Sequence, residues 1–224
     1  ADRRALWQRR FDRVLADRTP GRLLDVGAGI GTFLAIARDS GWTVEGTEVS
    51  TTAVAYARDL HDVALRLGTL EEAGPDGPFD AITLWHVIEH VPDPVATLRA
   101  CHDRLAGDGT LILAMPNDDD AAWAATSAGN ATKRLLGRAT ARRYETLRPG
   151  VESHIQHFRP ETIRAALADA GFGVRATGVD DAAPQRSAAG RAVFGARRLA
   201  TALTPWNLGR EMLVIAVTTS SPGR

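Results

Sequence analysis

Several things are scarce in this chain, and each scarcity excludes something. There is one cysteine, Cys101, in 224 residues, so no intrachain disulfide can form. That fits a reducing, cytoplasmic setting. Net charge is absent: 27 Lys and Arg stand against 27 Asp and Glu, so nothing global recommends a nucleic acid or an anionic membrane as partner. No uninterrupted apolar run is long enough to span a bilayer. The opening "ADRRALWQRR" lacks the apolar core of a secretion signal. Aromatic residues are few, and no basic stripe is interleaved with them in the manner of a nucleic-acid surface. Internal repeats and low-complexity tracts are missing too. What remains is a length suited to one domain over residues 1–224, with an N-terminal helical piece inside 1–20.

The pattern that is present alternates. Residues 5–18 form an amphipathic helix, with Leu6, Trp7, Phe11, Val14 and Leu15 on one face, and Pro20-Gly21 stops it. Then come a short buried strand "RLLDV", a helix Thr32–Asp39, a strand "TVEGTEV" and a helix capped by Ser50 running to Leu60. "VALRL" reads as a third strand, "EEAGPDGP" as a turn-rich loop, "FDAITLW" as a fourth strand and Pro94–Leu105 as a helix. "TLILAMP" follows as a fifth strand. Strand–helix alternation of this kind predicts a parallel sheet with helices on both faces. The rhythm breaks at 118–153, a polar stretch rich in Ala and Arg that is too long for an ordinary connection, and a helical lid or insertion is expected there. It resumes with a helix from Pro160 to near Gly171, a strand "GVRATGV", a helical pattern over 185–204 and a final strand "REMLVIAVT".

The densest signal is "LLDVGAGIGTFLAIA", residues 23–37. An apolar strand ends in Asp25, glycines stand at 27, 29 and 31, and a helix begins. A strand, a glycine turn and a helix N-terminus make a cradle of outward-pointing amides. The spacing is G-x-G-x-G, not the G-x-G-x-x-G of a dinucleotide site, since Thr32 stands where the last dinucleotide glycine would be. Glu48 ends the next strand, roughly twenty residues on, where an acid can grip both hydroxyls of a ribose.

With "VEGTEVS", "FDAITLWHVIEHVPDP", "CHDRLAGDGTLILAMPN" and "HFRPETIRAALADAGF", this stretch resembles class I S-adenosylmethionine-dependent methyltransferases. It is most similar to the broad group of ubiquinone-type O-methyltransferases and small-molecule relatives, over about residues 20–175. The resemblance implies a Rossmann-like α/β fold: a seven-stranded, mostly parallel sheet with an antiparallel last strand, helices on both faces and a lid insertion. It also implies S-adenosyl-L-methionine as cofactor and S-adenosyl-L-homocysteine as product. By the same resemblance, Gly27, Gly29 and Gly31 lie against the methionine end, which a Cβ there would push away. Asp25 supports the turn and reaches the cofactor's amino group through water, while Glu48 binds the ribose and Val49 packs on the adenine. Many relatives carry Asp where this chain has Thr69, so Thr69, the Leu70 backbone and Glu71 are the substitutes for the adenine contact. Trp85 would border the methionine part, with a core tryptophan as the equal alternative.

His86, Glu89 and His90 follow the fourth strand, and His154 and His157 precede the helix at Pro160. Three readings of these histidines stay open. A hydroxyl acceptor must lose a proton as it takes the methyl, and His90, His86, His154 and His157 are, in that order, the candidate bases. H-x-x-E-H replaces the E-x-x-E-H with which some relatives bind a divalent ion, so a metal site is a second and less favoured reading. Loop-to-loop hydrogen bonding is the third.

The expected acceptor is a small molecule such as a natural product, sugar or glycan-lipid precursor, methylated on a hydroxyl in preference to an amine. The basic stretch "KRLLGRATARRYETLR" could guide an anionic one, and "GRAVFGARRLATALTPW" could rest on a membrane surface. The alternative from another class is a non-catalytic protein that binds S-adenosylmethionine or S-adenosylhomocysteine and kept the fold. Retention of Asp25, the three glycines and Glu48 speaks against it.

Overall fold

The computed structural model describes residues 2–118, 155–180, 195–196, 199 and 211–219. The expected lid (beyond Asp118), His154 and most of the 185–204 pattern lie outside those residues. A seven-stranded sheet organises the rest, in the order β3-β2-β1-β4-β5-β7-β6. Its strands are β1 Arg22–Val26, β2 Thr43–Glu48, β3 Arg66–Leu67, β4 Phe79–Trp85, β5 Leu105–Pro116, β6 Phe172–Val179 and β7 Glu211–Thr218. β1 runs parallel to β2 and β4, β4 parallel to β5, and β7 antiparallel to both β5 and β6. The strand order reverses between β1 and β4, and the crevice beyond the carboxyl ends of such a pair is where ligands enter an open α/β sheet.

Side chains alternate along each strand and feed two cores. Leu24, Val26, Ile82, Leu84, Leu111 and Leu113 face α5 (Pro94–His102) and α6 (Pro160–Asp169), where Leu98, Cys101, Ile163 and Leu167 are fully buried. Leu23, Ala81, Trp85, Ile112 and Ala114 face α1 (Asp2–Val14) and α2 (Thr32–Asp39). Phe33 of α2 is the hinge of this second core: its ring lies 5.9 Å from Trp7, 6.3 Å from Phe11 and 5.0 Å from Trp85. Such aromatic contacts add about 0.5–1.5 kcal/mol each beyond the area they bury.

Local chemistry moves several boundaries from where the sequence pattern predicts them. The "EEAGPDGP" loop opens as a single helical turn, α4 (Leu70–Ala73), because Thr69 and Glu72 form a reciprocal capping box and Leu70 turns into the core. β5 begins at Leu105, since Phe79 pairs with Leu105 ahead of the register shift that precedes Ala81. β3 shrinks to Arg66–Leu67, because Val63 is drawn under α2 into the second core. The helix α3 spans Thr51–His61 and is capped by the Ser50 hydroxyl, which accepts from the Ala53 amide as expected.

Candidate active site

The turn after β1 takes three left-handed steps: φ is +66° at Gly27, +56° at Gly29 and +73° at Gly31. Residues with a Cβ rarely adopt these values. Crowding explains two of the glycines further. A Cβ on Gly27 would sit 2.6 Å from Val87 Cγ2, and one on Gly31 would sit 3.1 Å from the Ala57 Cβ; beyond Gly29 the space is open. The backbone conformation therefore requires all three, and internal packing requires Gly27 and Gly31 as well. Room for a ligand is clearest at Gly29.

Glu48 ties this turn to β2. Its Oε2 accepts from the Gly29 amide and its Oε1 from the Ser50 amide, both at 2.8 Å. The side chain is thereby locked at the crevice, with one lone-pair direction on each oxygen still open. Asp25 lies beneath the turn, buried, and its Oδ1 accepts from the Thr83 hydroxyl at 2.6 Å. The two face each other because Asp25 and Thr83 are register partners across β1 and β4. Burial pushes the Asp25 carboxyl up to about 7; the nearby Glu48 adds to the rise, while the Thr83 hydroxyl and Arg10 oppose it.

A cavity of about 560 Å³ opens beyond these strand ends. Gly27, Glu48, Val49, Thr69, Leu70, His86 and His90 line it, together with Glu71, Val87 and Thr97. Val49 is 67% exposed, an apolar platform at the mouth. At the far wall the Thr69 hydroxyl oxygen accepts from the Glu72 amide at 3.3 Å, which leaves its proton to donate. Glu71 is held on the cavity side by the Thr97 hydroxyl at 2.6 Å.

The other candidates from the sequence go elsewhere. Gly29 and Gly31 belong to the turn and not to the wall. Trp85 is 6% exposed, packed edge-on against Trp7 and Phe33 in the second core, and absent from the cavity lining. His157 is 70% exposed and pairs through Nδ1 with Asp118 Oδ2 at 3.1 Å. The segment 155–158 docks beside the turn after β4, where the Ile155 and Gln156 amides both donate to the Glu89 carbonyl and the Asp118 amide donates to the Phe158 carbonyl, but His157 itself is absent from the cavity lining.

Behind His86 stands a group of charges that the sequence did not bring together. Arg10 of α1 is buried, ion-paired with Asp180 just after β6, and its guanidinium sits over the rings of Trp7 and Trp85 at 4.7 and 4.9 Å. Its Nη2 also lies 2.9 Å from His86 Nε2. Glu211, at the start of β7, places Oε2 3.3 Å from the same nitrogen, and Glu89 places Oε1 3.4 Å from His86 Nδ1. Burial raises the Glu211 carboxyl above its ordinary value, with Asp180 and Glu89 adding to the rise and His86 and Arg10 opposing it. Among the described residues, no group of three or more His, Cys, Asp or Glu is arranged to hold a metal ion. The Cys101 thiol is buried and its pKa is pushed up by desolvation, which leaves it inert.

A doubly wound sheet with β7 inserted antiparallel, a glycine turn after β1 and an acid closing β2 define a class I S-adenosylmethionine-dependent methyltransferase. The chain belongs to the methyltransferase domain family, whose model matches residues 1–177. It is 35% identical over 140 residues to a ubiquinone biosynthesis O-methyltransferase of Xanthomonas campestris pv. campestris, a match covering 58% of each chain. The chain thus spans under two thirds of the length of that relative. By structure it is similar to an S-adenosylmethionine-dependent methyltransferase of Listeria monocytogenes, with TM-score 0.68 and 16% identity over 97% of this chain and 99% of that one. It is also similar to the magnesium protoporphyrin IX methyltransferase of Synechocystis PCC 6803 with bound S-adenosylhomocysteine, with TM-score 0.62 and 16% identity over 97% and 84%. At these identities the structures share the fold.

Proposed function

We propose that this chain transfers the methyl group of S-adenosylmethionine to a hydroxyl oxygen of a small molecule. The observation that carries the cofactor side is Glu48. Its carboxylate is fixed at the cavity by two backbone amides, with a lone-pair direction per oxygen left for the two ribose hydroxyls. The cavity residues fit the rest of the molecule. Val49 offers an apolar face to the adenine, and the Thr69 hydroxyl and Leu70 amide offer donors to its ring nitrogens. The methionine end would lie against the glycine turn, with Gly27 at the cavity wall, while Asp25, buried beneath the turn and absent from the lining, would act by holding that turn in place. When bound, S-adenosylmethionine supplies a methyl group already activated by its sulfonium.

The chain's own part is to align the acceptor, exclude water and take a proton. His86 and His90 line the cavity and are the candidate proton acceptors; His157 pairs with Asp118 at the surface. A positioned base is worth about 10²–10⁴ in rate. Hydroxyl methylation is further supported by the relative named as an O-methyltransferase. No helix among the described residues is long and apolar enough to cross a membrane. The single buried cysteine supports a cytoplasmic setting. The test is calorimetry with S-adenosylmethionine, followed by methyl transfer to a simple catechol such as 3,4-dihydroxybenzoate. Binding with turnover that His86→Gln or His90→Gln lowers about 10²-fold supports the reading. An intact protein that binds no cofactor overturns it.

A further inference from the structure

Three carboxylates (Glu89, Asp180 and Glu211) and one guanidinium (Arg10) surround the imidazole of His86 from four separate parts of the fold. With a neutral ring the group carries a net charge of minus two. These are the charged side chains that face His86 among the described residues, from α1, the turn after β4, the end of β6 and the start of β7. Glu89 is 1% exposed, and neither of its carboxylate oxygens has a hydrogen-bond partner among the described residues; Glu211 Oε2 has none either. Unpaired buried carboxylates are costly unless a compensating positive charge arrives at some stage.

The tautomer follows from hydrogen-bond chemistry. Arg10 can only donate, and its Nη2 lies 2.9 Å from His86 Nε2. Nε2 must therefore present a bare lone pair, and the ring proton sits on Nδ1, facing Glu89 Oε1 at 3.4 Å. The backbone helps to hold the ring there. His86 has φ +58°, an unusual value for a residue with a Cβ, and its amide is anchored to the Ala114 carbonyl at 2.8 Å.

We propose that Arg10, Glu89 and Glu211 are positioning residues that make His86 a proton-accepting switch for methyl transfer. Before reaction, Arg10 occupies the Nε2 lone pair. When the acceptor enters, Arg10 withdraws wholly to Asp180, with which it is already paired, and bares the Nε2 lone pair. As the acceptor oxygen takes the methyl group, its O–H bond breaks and the proton passes to Nε2. The new Nε2–H faces Glu211 Oε2, 3.3 Å away, and Nδ1–H faces Glu89 Oε1, 3.4 Å away. One positive charge is created in an array two short of neutrality, which is where low-dielectric stabilisation of a developing charge is strongest. This inference rests on the hydroxyl-methylation reading above, and its test separates the two.

The test reads the histidine ring nitrogens by magnetic resonance in ¹⁵N-labelled protein without acceptor, with His86 assigned through His86→Asn. In the wild type, the neutral form of the His86 ring should be the Nδ1–H tautomer. Arg10→Lys should keep that tautomer. At one fixed pH, Arg10→Gln should raise the ratio of imidazolium to neutral ring by about tenfold, and Glu211→Gln should lower it by a similar factor. Opposite signs from two neighbouring residues are not the result of loosened packing. Should Arg10→Gln fail to fold, Arg10→Lys and Glu211→Gln decide. An Nε2–H tautomer in the wild type, or a charged fraction that Glu211→Gln leaves unmoved, overturns the inference. Calorimetry with S-adenosylhomocysteine on the same samples tests the methyltransferase reading independently of the ring.

Discussion

At the scale of single residues, two carboxylates in similar places have opposite tasks. Glu48 is hydrogen-bonded by amides and stays available to a ligand; Asp25 is buried under the turn and holds its proton to about pH 7. Glu48→Ala removes the proposed ribose acceptor and releases the Gly29 and Ser50 amides. Affinity for S-adenosylhomocysteine should fall by about 1.5–3 kcal/mol, read by calorimetry; an unchanged affinity would remove Glu48 from the site. For Asp25 the sign follows from proton binding. In the unfolded chain its carboxyl ionises near the ordinary 3.8, and in the folded protein near 7. Between these values the native state binds the extra proton, so this group's contribution to stability declines as pH rises through that window and levels off above it. Asp25→Asn should abolish that decline, on the order of a few kcal/mol in urea unfolding between about pH 4 and 8. Parallel curves for mutant and wild type would contradict the burial account. Both acids were legible in the sequence, one before the glycines and one about twenty residues later. The difference in their chemistry was not, because it depends on what packs above each.

At the scale of elements, the joint after β4 does most to shape the site. β4 ends at Trp85, His86 turns left-handed, and a 3₁₀ turn, Ile88–His90, buries Ile88 and Glu89 while presenting His86 and His90 to the cavity. The sequence motif placed both histidines at a strand end. It could not show that Trp85 would face the opposite side. That outcome comes from strand alternation together with α1, whose Trp7 meets the Trp85 ring edge-on at 5.8 Å. Trp85 therefore supports Arg10 rather than a ligand. Backbone conformation gives a clean prediction here. Asn tolerates the left-handed region and β-branched residues do not. His86→Asn should keep the melting temperature within about 2 °C of wild type, whereas His86→Val should be destabilised by about 1–2 kcal/mol, read by thermal unfolding. Equal stability of the two variants would show that the turn relaxes freely.

Across the whole molecule, the cavity and the charges behind it draw on different ranges of the chain. The cavity lining falls within residues 26–97, a stretch in which strands consecutive in the chain are joined by single helices, and so its motifs could be read in order. Arg10, Asp180 and Glu211 meet only because α1 crosses the sheet and the antiparallel β7 slots between β5 and β6. No spacing rule links positions so far apart, which is why sequence patterning missed them. This division has a thermodynamic consequence. A ligand seated across the ends of β1, β2 and β4 binds the native state alone, so S-adenosylhomocysteine at 100 times its dissociation constant should add about 2.7 kcal/mol, or roughly 5–10 °C in a domain of this size. In a variant with Trp42, Trp123 and Trp206 replaced by Phe, Trp7 and Trp85 report on the joint between α1 and the sheet, while far-ultraviolet circular dichroism reports on the helices and strands as a whole. If the two cores fold as one unit, fluorescence and dichroism should give coincident transitions that rise together with ligand. An early fluorescence transition that ligand does not move would mean that α1 detaches while the cofactor half stays folded. Arg10 would then leave His86 before the sheet unfolds, and proton acceptance would be lost at a lower temperature than cofactor binding.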